Sequence, residues 1–409
     1  MLRTSDLEYD LPSGRIATHP AQPRDSARLM VVDRARGVVE HRIVRDLPEL
    51  LRRGDLLVTN ASRVLPARFV GVRDDTGGGV EGLYLREGPR AGTWVVMLRA
   101  RRFKPGMRVR LVGSGGHDGG VHGGVVLTLT EDAVGEGGAR IVEVSGAGAE
   151  GMSTPAILER VGLPPIPPYI LSARRAEQGD EPRGGAVREG GARACRGEVG
   201  AGGDVGSYQT VFAGELLASA DGSECGSVAA PTAGLHFTPE LMGRLAAAGV
   251  ERAEVVLHVG PGTFKPVEAE FVEDHAMHAE WCTRPAATRE AMERARTGGG
   301  RVVCVGTTSA RTVEAFARLE VEKGAPGDRN RPQACATGEW LHTRLLITPG
   351  FAWRGTGALL TNFHLPRSTL MALVAAMLPG GVAELKGLYA RAIADGYRFY
   401  SYGDAMLVI

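Results

Sequence analysis

The sequence predicts an α/β protein, a large α/β domain with a small β-barrel inserted into it, and three observations carry that prediction. Between Val64 and Val144 the chain is a succession of short β-branched runs separated by turns, the pattern of a small barrel or sandwich. Downstream, helical and strand patterns alternate in the rhythm of an α/β domain. Upstream, "GDLLVTN" (54–60) already reads as a buried strand of the α/β kind, so the barrel interrupts the larger domain. The expected division is 1–62 with 152–409 for the α/β domain and 63–151 for the barrel.

The barrel strands are expected at "VLPARFVGV", "VEGLYLRE", "TWVVMLRA", "MRVRLV", "VVLTLT" and "RIVEVS". The α/β elements follow as "PELMGRLAAAG" then "VERAEVVLHVG", and "AATREAMERARTGG" then "RVVCVGTTS". Gly is 58 of 409 residues, about twice the usual ~7% share. Much of the excess lies in 113–124, 173–206 and 322–338. The second stretch has no aromatic residue and balances six acidic residues with six Arg, so it cannot bury a core. All three are read as mobile insertions.

A 43% hydrophobic content supports an ordinary core and excludes a disordered chain. Lys plus Arg (48) nearly equals Asp plus Glu (47), so net charge argues for neither nucleic acid nor membrane, and such a partner must be read from a local patch. The five cysteines are scattered and odd in number, without zinc or disulfide spacing, which fits a reducing compartment. "MLRTSDLEYDLPSGRIA" has neither the apolar run of a signal peptide nor that of a spanning helix. The expectation is a cytoplasmic monomer with no membrane partner.

Three histidines share one local texture: His236 in "PTAGLHF", His258 in "LHVGPGTF" and His364 in "TNFHLP". Each is either a buried ring bracing its loop or a group in direct contact with substrate. In "RVVCVGTTSARTVEAFARL" a strand runs through Gly306 into Thr307, Thr308 and Ser309 and then a helix. Capping that helix needs one hydroxyl residue; three leave an anion or carboxylate site equally open. "EDHAMHAEW" offers His275, His278 and Glu280. Two histidines three apart on a helical face can share a metal, but helical zinc sites favour i, i+4 with a Glu, so acid/base or polar binding is preferred.

"LRARRFKPGMRVR" carries Arg99, Arg101, Arg102, Lys104, Arg108 and Arg110. With alternate residues outward they form a positive ribbon suited to phosphates, or else a solvated strand face. The closing "YRFYSYGDAMLVI" sets Tyr397, Phe399, Tyr400 and Tyr402 beside Asp404, which fits a cation or base site and a core-packed strand equally. These residues describe an α/β enzyme with a loop-built site and name no substrate.

Taken together, "APTAGLHFTPEL", "LHVGPGTFKPV", "HAMHAE", "VGTTSARTVE", "TNFHLPRSTL" and "YRFYSYGDAMLV" resemble the S-adenosylmethionine:tRNA ribosyltransferase-isomerases of queuosine biosynthesis. "YDLPSGRIATHPAQPRDSARLMVVDR", "GDLLVTNASRVLPARF" and "PPIPPYI" also match in order, so the likeness spans nearly the whole chain outside the Gly-rich insertions. The resemblance implies an α/β domain with an inserted barrel and a metal-free enzyme using S-adenosylmethionine as cosubstrate, donor of its ribosyl part. The acceptor is 7-aminomethyl-7-deazaguanine at the tRNA wobble position; the products are epoxyqueuosine-tRNA, adenine and methionine.

The sulfonium acidifies the C5′ protons and departing adenine needs a proton, which gives the histidines work. On this resemblance His236 and His258 supply acid and base, and His364 positions the ribose or adenine. Thr307, Thr308 and Arg311 hold the methionine carboxylate, Thr361, Asn362 and Glu280 the ribose hydroxyls. Arg99, Arg101, Arg102, Lys104 and Arg108 grip the phosphates of the anticodon stem-loop.

The chain departs from the family pattern at Ala61, where Asp is usual, at Ser207, where Arg is common, and at Pro261, where Ala is usual. The lost carboxylate motivates a second reading, a paralogue that performs the same transfer on another base, nucleoside or natural product. A third is a non-catalytic tRNA- or S-adenosylmethionine-binding protein. The three histidine loops speak against that one, and the lack of a Gly-rich loop after an opening strand speaks against a methyltransferase.

Overall fold

The computed structural model describes residues 1–99, 103–113, 124–132, 138–177, 206–220, 226–260, 262, 267–321, 333–335 and 338–409. Most of the stretches 113–124, 173–206 and 322–338 lie outside these residues. Two parts of them are regular: 173–177 finish a helix, and 333–335 form a strand, so these ends are structured where mobile insertions were expected.

Along the chain come β1 (Arg28–Asp33), β2 (Val38–Ile43) and β3 (Leu56–Asn60). Next are β4 (Arg68–Arg73), β5 (Gly79–Glu87), β6 (Thr93–Arg99), β7 (Arg108–Leu111), β8 (Val126–Asp132), β9 (Ala139–Ser145) and the short β10 (Gly162–Leu163). The last group is β11 (Glu251–Leu257), β12 (Glu280–Thr283), β13 (Val302–Val305), β14 (Gln333–Cys335), β15 (Gly338–Thr343), β16 (Ala358–Asn362) and β17 (Ala405–Val408).

The first and last groups merge into one ten-stranded sheet in the order β14-β15-β12-β11-β3-β13-β16-β17-β1-β2. Its centre is parallel, β11 and β13 flanking β3 and β16 following β13, while β12 and β17 run antiparallel to their inner neighbours. Between β3 and β11 the chain leaves to form the second sheet. There β4-β5-β6-β9-β8-β7 closes on itself through β7–β4 pairing, a six-stranded barrel with β10 appended to β4.

The central strands are apolar at nearly every position because both faces are covered. Leu56, Val58, Val302, Cys304 and Leu359 face one core; Leu57, Val303, Val305, Ala358 and Leu360 face the other. On the first face pack α5 (Ala286–Thr297), α6 (Thr307–Val321), α7 (Thr369–Ala375) and α8 (Gly381–Ala394); on the second, α1 (Leu47–Leu50) and α4 (Pro239–Ala247). The helix starts are written locally. Thr238 accepts the Leu241 N–H at 3.1 Å with Pro239 behind it, and Ser368 accepts the Met371 N–H at 3.2 Å.

The barrel interior alternates with its surface. Phe69, Trp94, Val96, Val109, Leu111, Leu127 and Val142 point inward, joined by Ile157, Leu158 and Val161 of α2 (Thr154–Val161). Gly82 gives Phe69 its room, since a Cβ there would stand 2.3 Å from the ring. The remaining helix, α3 (Pro168–Glu177), follows β10 and brings Tyr169 back to the large sheet.

Candidate active site

Four parallel strands end on one edge: β3 at Asn60, β11 at Leu257, β13 at Val305 and β16 at Asn362. The carboxyl edge of such a sheet is where α/β proteins hold ligands, because chain reversals leave a crevice there. Asn60 ties this edge together. Its amide donates to the Leu257 carbonyl at 3.0 Å and to Thr308 Oγ1 at 3.3 Å, and its Oδ1 accepts the Leu257 and Ser62 N–H groups at 3.2 and 3.0 Å. Gly306, at φ +87°, makes the turn that drops β13 straight into α6.

A cleft opens above this edge. Thr307 and Thr308 form one wall; Thr361, Asn362, His364 and Ser368 form another, with Thr232, Tyr169, Tyr400 and Ser401 completing it. The first turn of α6, whose backbone N–H groups have no helical partner, faces it with two threonine side chains. Thr361 Oγ1 lies 2.7 Å from His364 Nε2. Asn362 is internal in its bonds: Oδ1 accepts from Thr232 at 2.8 Å and Nδ2 donates to the Tyr400 carbonyl at 3.1 Å.

The three histidines part company. His364 lines the cleft, and burial lowers its pKa to about 4, so the ring is neutral at pH 7. His258, just past β11, is buried under Trp340 with ring centroids 5.3 Å apart; its Nδ1 meets Ser62 Oγ at 3.1 Å. Among the described residues its buried Nε2 finds no hydrogen bond of good geometry. Burial lowers its pKa to about 4, and the Leu217 backbone works weakly the other way.

His236 is buried away from the cleft lining, with Nδ1 3.1 Å from the Ala233 carbonyl and Nε2 2.9 Å from the Gly403 carbonyl. A neutral imidazole can donate to only one of these. Burial pushes its pKa down while the two carbonyls push up. That geometry fits the bracing of the turn, one of the two readings that the sequence leaves open for this ring.

Arg311 and Glu280, expected to hold separate parts of a ligand, are buried against each other. The guanidinium also donates to the Leu345 carbonyl at 3.2 Å, and Glu280 accepts the Gly260 N–H at 3.0 Å. Among the described residues the buried Arg311 Nη2 has no hydrogen-bond partner. Neither residue is among those lining the cleft. The segment of His275 and His278 is not the helix weighed from sequence: a short 3-10 turn ends at Asp274, and Glu280 opens β12, whose pairing with β11 and β15 demands extended backbone.

On the barrel, Arg99, Lys104, Arg108 and Arg110 are exposed, whereas Arg101 and Arg102 lie outside the described residues. The ribbon carries its own counter-charges. Asp74 sits 2.6 Å from Arg110 and 3.6 Å from Arg108, and Asp75 lies 3.6 Å from Lys104 while pairing with buried Arg73 at 2.8 Å.

The closing aromatics divide as well. Tyr397, Phe399 and Tyr402 are core, Tyr400 reaches the cleft, and Asp404 accepts the N–H groups of Arg28 and Arg398 at 3.1 and 2.8 Å. Ala61 fills an apolar niche with Val256, Trp281 and Trp340; Ser207 Oγ stands 3.5 Å from the Tyr402 hydroxyl; Pro261 lies outside the described residues. Asn60 and Tyr169 were missed from sequence. An Asn closing a fully buried strand was the available sign of the first.

Residues 4–408 match the family model described as "Queuosine biosynthesis protein". The chain is 40% identical to the S-adenosylmethionine:tRNA ribosyltransferase-isomerase of Symbiobacterium thermophilum, over 100% of both chains. It is 43% identical to that of a Caulobacter species, over 100% of this chain and 96% of the other. A crystal structure of S-adenosylmethionine tRNA ribosyltransferase from Thermotoga maritima is 29% identical, covering 99% of this chain and 100% of that one, with a TM-score of 0.47.

Proposed function

This chain belongs to the family of queuosine biosynthesis proteins, and on that premise we propose that it is an S-adenosylmethionine:tRNA ribosyltransferase-isomerase. It transfers and isomerises the ribosyl part of S-adenosylmethionine onto 7-aminomethyl-7-deazaguanine at the tRNA wobble position, leaving epoxyqueuosine-tRNA, adenine and methionine. It works in the cytoplasm as a monomer, with S-adenosylmethionine as cosubstrate and no metal.

The observation that carries the chemistry is the cleft itself. A neutral imidazole, His364, stands on Thr361 in the same cleft as the N-terminal turn of α6. The helix start with Thr307 and Thr308 suits the methionine carboxylate, since free N–H groups and the helix dipole favour an anion there. A neutral ring suits removal of the acidified C5′ proton, because it can accept at pH 7 without first losing one. Thr361 then orients that ring. His258 and Ser62 support the edge from below, and His236 braces the turn that carries Thr232.

Arg311 and Glu280 act together as a buried pair that steadies the start of α6 and the Gly260 turn. We take 1–62 with 152–409 as the catalytic unit and 63–151 as the unit that holds tRNA, through Arg99, Lys104 and Arg108 together with Arg101 and Arg102. Ala61 is not among the described residues that line the cleft, so this cleft lends no support to a different acceptor.

The test is incubation with S-adenosylmethionine and tRNA bearing the aminomethyl-deazaguanine, followed by nucleoside mass spectrometry and assay of free adenine in the same tube. Epoxyqueuosine with equimolar adenine is expected. Adenine without modified tRNA would move the acceptor, and absence of both products would overturn the reading.

A further inference from the structure

His364 is held through its backbone, and the groups that hold it come from distant parts of the chain. The Tyr9 hydroxyl, from the N-terminal segment, donates to the His364 carbonyl at 2.5 Å. The His364 N–H donates to the Tyr389 hydroxyl, on α8, at 2.9 Å. With Thr361 on Nε2, the residue is fixed at its carbonyl, its amide and its ring.

The two tyrosines also fix each other, with ring centroids 5.2 Å apart at 84°. Tyr9 packs on Phe399 and Tyr389 on Phe363, the residue next to His364. Tyr400 adds a third phenol, interacting with the Tyr9 hydroxyl. Its backbone is in the left-handed region, φ +72°, held there by its N–H on the Phe363 carbonyl at 3.1 Å and its own carbonyl on the Asn362 amide. An aromatic residue keeps such a conformation only where its surroundings over-determine it, and such strain gathers at functional sites.

We propose that Tyr9 and Tyr389 are positioning residues for the transfer reaction: they clamp the His364 peptide so that its imidazole stays aimed into the cleft. A buried hydrophobic loop would be served as well by phenylalanine at both positions. The hydroxyls matter because a loop resting on ring packing alone can slide by a fraction of an ångström, and proton transfer is sensitive to that scale. Burial pushes the phenols of Tyr9 and Tyr389 above their ordinary pKa, so both keep their protons throughout the working pH range.

The inference rests on His364 acting in the cleft, and the experiment separates the two ideas. Adenine release is measured for wild type, Tyr9→Phe, Tyr389→Phe, the double variant, His364→Gln and His364→Gln combined with both Phe changes, with kcat, KM for S-adenosylmethionine and Tm for each. The clamp predicts that each Phe variant loses about tenfold in kcat and the double variant up to about a hundredfold, with KM within about twofold. The losses should vanish when His364 is already Gln, since a clamp without its ring has nothing to aim. Phe variants with wild-type kcat, or a KM rising in step with the loss, would overturn the clamp. A fully active His364→Gln would instead overturn the role given to His364 itself.

Discussion

The turn around His236 and the loop around His364 look alike in sequence and do opposite things in the fold. Both set a histidine among Pro, Thr and small or apolar residues. In the first, both ring nitrogens meet backbone carbonyls, and the ring staples residues 232–236 to Gly403. In the second, the backbone is anchored by two tyrosines and the ring is left to a single hydroxyl and the cleft. The division teaches that a loop can use either the ring or the peptide as its anchor, and that the second arrangement leaves the ring at the cleft.

The sharpest way to break that comparison is alanine at each position. His364→Ala should lower adenine release by ~10²–10⁴, the range for loss of a positioned acid or base, with Tm close to wild type. His236→Ala should cost about 1–3 kcal/mol in urea unfolding, because a buried carbonyl loses the one N–H that the neutral ring donates, while turnover per folded molecule falls less than about tenfold. Exchanged outcomes, stability lost at 364 and turnover at 236, would invert the assignment.

The barrel was legible because its strands are runs of β-branched residues with turns between them, and β4 to β9 fall on the six expected segments. The large sheet was legible at its parallel centre, where double burial makes "LLVTN" and "VVCV" uniformly apolar. Its edge was not: β14 begins inside a Gly- and Pro-rich stretch, and β12 lies in a segment whose His spacing suggested a helix until pairing to β15 forced it straight. Which histidine serves the cleft was illegible because the deciding partners are remote. Gly403 is 167 positions from His236, and Tyr9 is 355 from His364. Composition can mark a loop as unusual, but it cannot say which carbonyl will arrive beside it.

His258 sharpens the comparison from the side of pH. Its folded pKa, about 4, lies below the unfolded value near 6.5, so the folded state binds fewer protons between these limits. Its contribution is therefore complete above pH 6.5 and is lost as pH falls towards 4, a change of about 3 kcal/mol by linkage. Urea unfolding at pH 7 and pH 4.5 should show wild type losing stability over this interval, and His258→Gln should lose correspondingly less. An unchanged slope in the variant would mean that the ring takes up its proton equally well in the folded and unfolded chain.

The smallest effect belongs to the barrel, where the contrast is between cations answered by Asp74 and the same cations once it is neutralised. Asp74 bonds Arg110 and attends Arg108, so the ribbon presents less positive potential than its sequence promises. If these arginines meet tRNA phosphates, Asp74 competes with the nucleic acid, and Asp74→Asn should tighten tRNA binding by about 1.5- to 5-fold at low salt, the scale of an exposed ion pair. The slope of log Kd against log salt should steepen by about one phosphate's worth, and S-adenosylmethionine affinity should not move. Arg108→Ala should act in reverse on the same plot. A Kd indifferent to both changes would place the tRNA backbone elsewhere and leave this strand as a solvated face.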